Sequence, residues 1–295
     1  MELLDPKILD RIGNYALLSK NIVEGFITGL HRSLFHGFGS EFVQYRNYAP
    51  GDDLKYLDWK VYARTHQLCT KVFREETNMT CRIVLDCSES MSYKGKKSPL
   101  SKLEYASVAA SCLAYLASGQ GDKVGFYAYG ESIYSAVPPG SSQRHLQDIF
   151  REMTKLKATG KGEHRKCLTQ ISDGFKGRGL VLFISDMLES EDEIIQFLKA
   201  MRFSNNDCIL MQILDKDELE LPFEHNVRFI SMEEDGELLT APELIRENYQ
   251  KRMSSHIEGL KTSCRQNLID FEVVDSSRSL DFVLASYLHK RQEIR

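Results

Sequence analysis

The chain has 295 residues, 42% of them hydrophobic and 27% charged, which suffices for one large core or two domains and argues against disorder. A formal net charge of −4 gives no electrostatic footing for a nucleic-acid partner, and no apolar run approaches the roughly 20 residues that span a bilayer. Met1 to Asp5 lacks the basic flank and apolar centre of a signal peptide. Seven scattered cysteines (Cys69, Cys81, Cys87, Cys112, Cys167, Cys208, Cys264), with no Cys-x-x-Cys pair and no His at metal spacing, read as small buried hydrophobes in a reducing, cytoplasmic compartment.

Residues 5 to 31 space their apolar side chains helically at Ile8, Ile12, Ala16, Leu17 and Ile22, and Gly13 and Gly25 predict one broken helix or two short ones. Arg32 to Glu41 is rich in Gly and Phe, and the alternation of Phe42 to Tyr48 predicts a strand. Pro50-Gly51-Asp52-Asp53 is turn chemistry, Leu54 to Ala63 restarts as a short helix-like element around the only Trp, Trp59, and Leu68 to Glu75 alternates again. Residues 1–78 therefore read as a small α+β N-terminal subdomain.

From 79 to 295 strands and helices alternate, the pattern of an α/β parallel sheet with helices on both faces. Arg82 to Asp86 is an apolar strand ending in Asp86-x-Ser88-x-Ser90. A helix starts at Ser98-Pro99-Leu100 with a Ser101/Glu104 capping box, and Gly119 and Gly121 end it. Val124 to Tyr129 and Ser132 to Val137 form a hairpin around Gly130-Glu131 in a type I′ or II′ turn. Amphipathic helices follow through Leu146 to Leu156 and Leu168 to Phe175. Leu180 to Asp186 is a second apolar strand running into an acid, Ser190 and Glu193 cap the helix through Met201, and Cys208 to Asp215 is a third such strand. Val227 to Ser231 adds an edge strand, Glu243 to Gln266 a long helix, Phe271 to Val274 a late strand and Leu280 to His289 a closing helix. No repeat or low-complexity linker separates the two parts, so they are expected to pack as one body.

In an open α/β sheet, ligands bind beyond the strand carboxyl ends. Asp86, Ser88 and Ser90 project from such an end, as does Asp186, and one carboxylate with two hydroxyls plus a second carboxylate is oxygen chemistry for Mg²⁺ or Mn²⁺. The alternative is a strand-to-helix connection whose hydroxyls satisfy backbone amides.

Asp-x-Ser-x-Ser after the first buried strand, with Asp186 after a later one, resembles the von Willebrand factor A (Rossmann-like) fold and its metal-ion-dependent adhesion site. Arg46-x-Tyr48-x-Pro50-Gly51-Asp52-Asp53, then Asp58-Trp59-x-x-x-Ala63-Arg64-Thr65 and Phe73-x-Glu75-Glu76, resembles the signature of the bacterial domain-of-unknown-function family number fifty-eight. The likeness covers about residues 35 to 215. It implies a von Willebrand A-like domain, metal ligands at Asp86, Ser88, Ser90 and Asp186, and a MoxR-type AAA+ ATPase as protein partner, because family members are commonly encoded beside one. One departure stands out. Where the adhesion site takes a Thr before the third main helix, this chain has Gly162-Glu163-His164-Arg165, with Thr159 and Thr169 only flanking the place, so the site is incomplete, altered, or completed by Glu163.

Arg46, Tyr48, Asp52, Asp53, Asp58, Trp59 and Arg64 have two readings: structural glue built on turn and cap chemistry, which takes precedence, or a recognition surface around an exposed Trp. Gly160-Lys161-Gly162 and Gly37-x-Gly39 lack the spacing of phosphate-binding loops, and His145 and His164 read as surface groups. The expectation is a non-enzymatic protein-binding module whose metal-bearing edge engages the partner. Two rivals remain. One is Mg²⁺-dependent phosphoryl transfer with Asp86 as nucleophile, against which Ser88 stands where the general acid of haloacid-dehalogenase-type phosphatases would be; the other is a metal-free structural adaptor.

Overall fold

A computed structural model describes residues 14–29, 44–47, 59–72, 79–188, 191–232, 236–280 and 283–285. Helix α1 (Tyr15–Gly29) runs unbroken through Gly25. Two short strands, β1 (Gln44–Asn47) and β2 (Cys69–Val72), pair antiparallel and flank α2 (Trp59–Thr65). The strand β3 (Thr80–Asp86) leads through a 3₁₀ turn (Glu89–Ser92) to α3 (Lys102–Gly119). Next come β4 (Lys123–Tyr129), β5 (Ile133–Gly140), α4 (Gln143–Met153), α5 (His164–Asp173), β6 (Leu180–Ser185), α6 (Glu191–Phe203), β7 (Asp207–Leu214) and α7 (Lys216–Glu220). The chain then forms β8 (Val227–Ile230), β9 (Glu237–Thr240), α8 (Pro242–Gln266) and β10 (Asp270–Asp275).

Six strands make one sheet in the order β10-β7-β6-β3-β4-β5, parallel throughout except for the β4–β5 hairpin at one edge. Counted outward from β3 this is the doubly wound order, which reverses between β3 and β6 and so opens a crevice at their carboxyl ends. The edge position of β5 accommodates Pro138-Pro139, since an edge strand can forgo donors to a ladder.

The uninterrupted apolar runs follow from burial on both faces. Alternation sends Cys81, Ile83, Leu85, Leu182, Ile184, Ile209 and Met211 to one face, with α1, α3 and α4. It sends Val84, Val181, Phe183, Cys208 and Leu210 to the other, beneath α5, α6 and α8. Helix α3 is buried on nearly every side because it lies between the sheet and two helices, α1 and α4. Tyr15, Leu18, Ile22 and Val23 of α1 enter that same core, so this N-terminal helix is packed into the main domain.

Arg82, only 1% exposed, faces the second core. Its guanidinium donates to Asn206 Oδ1 (3.1 Å), to the Gly177 carbonyl (3.3 Å) and to that of Lys176, and it lies 4.9 Å over the Phe175 ring. A charge is tolerated there because fixed carbonyl and amide dipoles replace water.

Several elements differ from the sequence expectations. Helix α3 begins at Lys102, not at Ser98-Pro99, because the Ser101/Glu104 capping box sets its first turn. The β4–β5 connection is three residues, Gly130 to Ser132, with a register shift at Ala128/Tyr129 in place of a two-residue turn. The strand β8 pairs with β9 in a separate ribbon and does not join the main sheet. Of the closing helix expected over Leu280 to His289, Leu280 is in a turn and residues 283–285 are helical, the others lying outside the described residues, as do Ser190, Gly13 and residues 73–78.

Candidate functional site

The carboxyl ends of β3 and β6 meet at the reversal point, where the pairs Val84/Phe183 and Leu85/Ile184 fix the register. Asp86 and Asp186 thus emerge on neighbouring strands with 1% and 3% exposure. One Asp86 oxygen accepts the Ser88 amide (2.9 Å) and the other the Ser185 hydroxyl (2.8 Å). Ser88 and Ser90 lie with their hydroxyls 3.2 Å apart, and the Ser90 side chain also bonds to Asp186. The four residues the sequence singled out are therefore brought together. Burial, assisted by the charge of Asp186, pushes the Asp86 carboxyl above its ordinary range, against the opposing influence of His164 and the two hydrogen bonds.

A residue absent from the sequence reading dominates the electrostatics. Lys102, the first residue of α3 and fully buried, places its ammonium 2.8 Å from Asp186 Oδ2 and 2.6 Å from Glu218 Oε1. Burial alone would raise the Asp186 carboxyl, but the Lys102 charge, with hydrogen bonds from Lys102, Ser90 and the Leu188 amide, outweighs it and holds Asp186 below the usual range. Burial likewise opposes the Lys102 charge, and the two carboxylates overcome it, so its pKa is raised.

This arrangement is held from several sides. Glu218 spends its other oxygen on the Asp215 amide (2.7 Å) in a reciprocal capping box, and its carbonyl accepts Tyr249 Oη of α8 (2.7 Å). Asp215 and Asp217 reach across to the loop after β3, accepting the Gly95 and Lys96 amides at 3.0 and 3.3 Å. Gly95 is needed there, since a Cβ would fall 2.1 Å from Asp215 Oδ1. After Asp186, Met187 takes the left-handed conformation (φ 55°), its amide on Ser185 Oγ and its carbonyl near His256 Nε2 (3.1 Å). Gln212 of β7 donates to the Asp186 carbonyl at 2.9 Å.

His164, read from sequence as a surface group, is 3% exposed, with Nδ1 2.9 Å from the Tyr129 hydroxyl; that buried partner, on a strand far away in sequence, is what draws it in. His145 is half-buried, 2.7 Å from the Val124 carbonyl. The hydroxyl of Thr159 meets Tyr134 Oη (3.2 Å), that of Thr169 donates to the Arg165 carbonyl one turn earlier in its own helix (2.7 Å), and Glu163 is exposed at the start of α5. A surface cavity of ≈ 680 Å³ opens beside α5 among Glu163, His164, Arg165, Lys166 and Glu193. Glu193 fills the anion position at that helix start by accepting the Arg165 amide (2.9 Å).

The donor set therefore does not fit a resident divalent ion as arranged. Both Asp86 oxygens are engaged, Asp186 is bound to an ammonium, and neither flanking threonine supplies the missing ligand.

In the second motif, Trp59 is 62% exposed on α2, edge-on to Tyr62 with ring centroids 6.3 Å apart, and Tyr62 is edge-on to His66 at 6.1 Å. Arg64 is exposed in the last turn. The backbone of Arg46 pairs with Thr70, while Tyr48, Asp52, Asp53 and Asp58 lie outside the described residues.

Two uncharacterized mycobacterial proteins, Mb1516 of Mycobacterium bovis and Rv1480 of Mycobacterium tuberculosis, are each 26% identical over 223 residues, covering 74% of this chain and 68% of theirs. Among solved structures, the conserved hypothetical protein BatB from Bacteroides thetaiotaomicron aligns with TM-score 0.48 at 15% identity, over 73% of this chain and 99% of that one. The SpRpn10 VWA domain aligns with TM-score 0.44 at 13% identity, over 72% and 95%. At these scores neither likeness adds to the strand order, in which a doubly wound sheet with one antiparallel edge hairpin gives a von Willebrand A-like α/β domain. Among the described residues, no helix is long and apolar enough to cross a membrane. The family described as "Protein of unknown function DUF58" matches residues 44–259, from β1 into α8, and the chain belongs to that family.

Proposed function

We propose that this protein is a non-enzymatic binding module that docks onto a MoxR-type AAA+ ATPase, using the exposed face of α2 as its contact. The observation that carries the reading is Trp59, 62% exposed and edge-on to the exposed Tyr62 on α2, a helix whose Arg64 is also exposed. Paired exposed aromatic rings with an arginine on the same short helix are the residue types that dominate interaction hot spots. The choice of partner rests on the family resemblance.

The phosphoryl-transfer reading is disfavoured by the position of its nucleophile. An attacking carboxylate needs an accessible oxygen, and Asp86 is 1% exposed with each oxygen already accepting a hydrogen bond. Purified protein immobilised and presented with the candidate ATPase should retain it and should show no turnover of an aryl phosphate with Mg²⁺. Failure to retain the ATPase removes the partner, and a phosphatase activity abolished in Asp86→Asn replaces the binding module with an enzyme.

A further inference from the structure

We infer that Lys102 is the built-in cation of the strand-end site, so that the Asp86–Asp186 edge is complete without a divalent metal. The inference concerns the same edge that the family resemblance marks for a metal, but it rests on the geometry there and not on the identity of any partner.

Three observations carry it. First, the Lys102 ammonium is fully buried and sits at 2.8 and 2.6 Å from two carboxylates, the lengths of charge-assisted hydrogen bonds. An unpaired lysine would not remain charged in such a place, so the carboxylates and the ammonium account for one another.

Second, the lysine is held on a rigid mount. It occupies the first helical position after the Ser101/Glu104 capping box, and its own amide donates to the Tyr93 carbonyl at 3.0 Å. Its second partner, Glu218, is fixed by the Asp215 capping box and by Tyr249. The ammonium thereby joins the starts of α3 and α7 to the end of β6, which is the bridging role an ion has between strand ends.

Third, the other oxygens of the edge are already drawn into bonds within the protein. Each Asp86 oxygen accepts one hydrogen bond, from the Ser88 amide and from the Ser185 hydroxyl; the Ser88 and Ser90 hydroxyls lie 3.2 Å from one another, with Ser90 also bonded to Asp186; and the hydroxyls of Thr159 and Thr169 are turned to Tyr134 and to Arg165. A divalent ion on Asp186 would have to expel the ammonium or lie beside a second positive charge in a water-poor pocket, and either arrangement works against binding. Mg²⁺ in addition demands near-ideal octahedral oxygens, which this set does not supply.

The test uses the full chain, stripped with chelator and titrated calorimetrically with Mg²⁺ and with Mn²⁺, alongside thermal midpoints in chelator and in each metal. Wild type should give no saturable heat and one midpoint in all buffers. Lys102→Ala vacates the ammonium position between Asp186 and Glu218, so its midpoint should be lower in chelator and rise with Mn²⁺. Saturable single-site binding to wild type that disappears in Asp86→Asn would overturn the inference, as would a Lys102→Ala protein with wild-type midpoint. Should Lys102→Ala fail to fold, Lys102→Met combined with Asp186→Asn removes the ammonium with one of its two carboxylates and, leaving only Glu218 without its cation, should be more stable than Lys102→Met alone. A double variant no better than the single one would overturn the pairing, and the wild-type titration decides about the metal in every case.

Discussion

At the scale of single residues, the strand end shows how burial and pairing assign opposite fates to two aspartates on adjacent strands. Asp186 gains an ammonium and its carboxyl is held down; Asp86 receives only neutral donors and is pushed up, chiefly by burial. A group whose folded pKa is raised favours folding when protonated, so its contribution is present below its unfolded value of about 3.9 and is lost as pH rises through the folded pKa. At neutral pH the ionised Asp86 is therefore a cost. Asp86→Asn should leave the urea midpoint equal to or above that of wild type near neutrality, and the advantage should vanish in acid. A midpoint that falls at neutral pH would mean that the ionised carboxylate is itself the stabilising species.

At the scale of elements, the apolar runs were legible because burial on both faces leaves Leu180 to Ile184 and Cys208 to Met211 with no polar position to interrupt them. Boundaries and partners were less legible. Proline at position 99 looked like a helix start, yet the Ser101/Glu104 hydrogen bonds at 3.2 and 2.8 Å set the start three residues later. Val227 to Ile230 had a strand's composition, and only its pairing with Glu237 to Thr240 shows that it belongs to a separate ribbon. The docking of α1 was equally hidden, since amphipathicity says that a helix has a buried face but not what covers it. Leu182→Ala in the central sheet and Leu18→Ala in α1 should each cost roughly 2–5 kcal/mol through lost transfer energy and a cavity, measured by denaturant unfolding in one shared transition. An unchanged midpoint for Leu18→Ala would detach α1 from the main core, and an unchanged one for Leu182→Ala would remove β6 from its centre.

At the scale of the whole molecule, the sequence reading brought Asp86, Ser88, Ser90 and Asp186 to one edge because strand ends are visible in a sequence. It missed Lys102 because the pairing joins residues 84 and 116 positions apart, and nothing local marks which helix residue looks back across the reversal point. His164 was missed for the same reason, as its partner Tyr129 lies on β4, 35 positions away. The outcome is a chain with two faces of different character: a strand end closed by an internal ion pair, and an α2 face that leaves Trp59 in solvent. The proposed docking face is the second. Affinity for the candidate ATPase, measured in one Mg²⁺ buffer for wild type, for Trp59→Ala with Arg64→Ala, and for Ser88→Ala with Ser90→Ala, tests this most directly. The Trp59/Arg64 double variant should bind more weakly by about 2 kcal/mol or more, roughly thirtyfold, while the serine pair should bind as wild type does. Loss of binding in the serine pair with wild-type affinity in the Trp59/Arg64 pair would contradict that docking face.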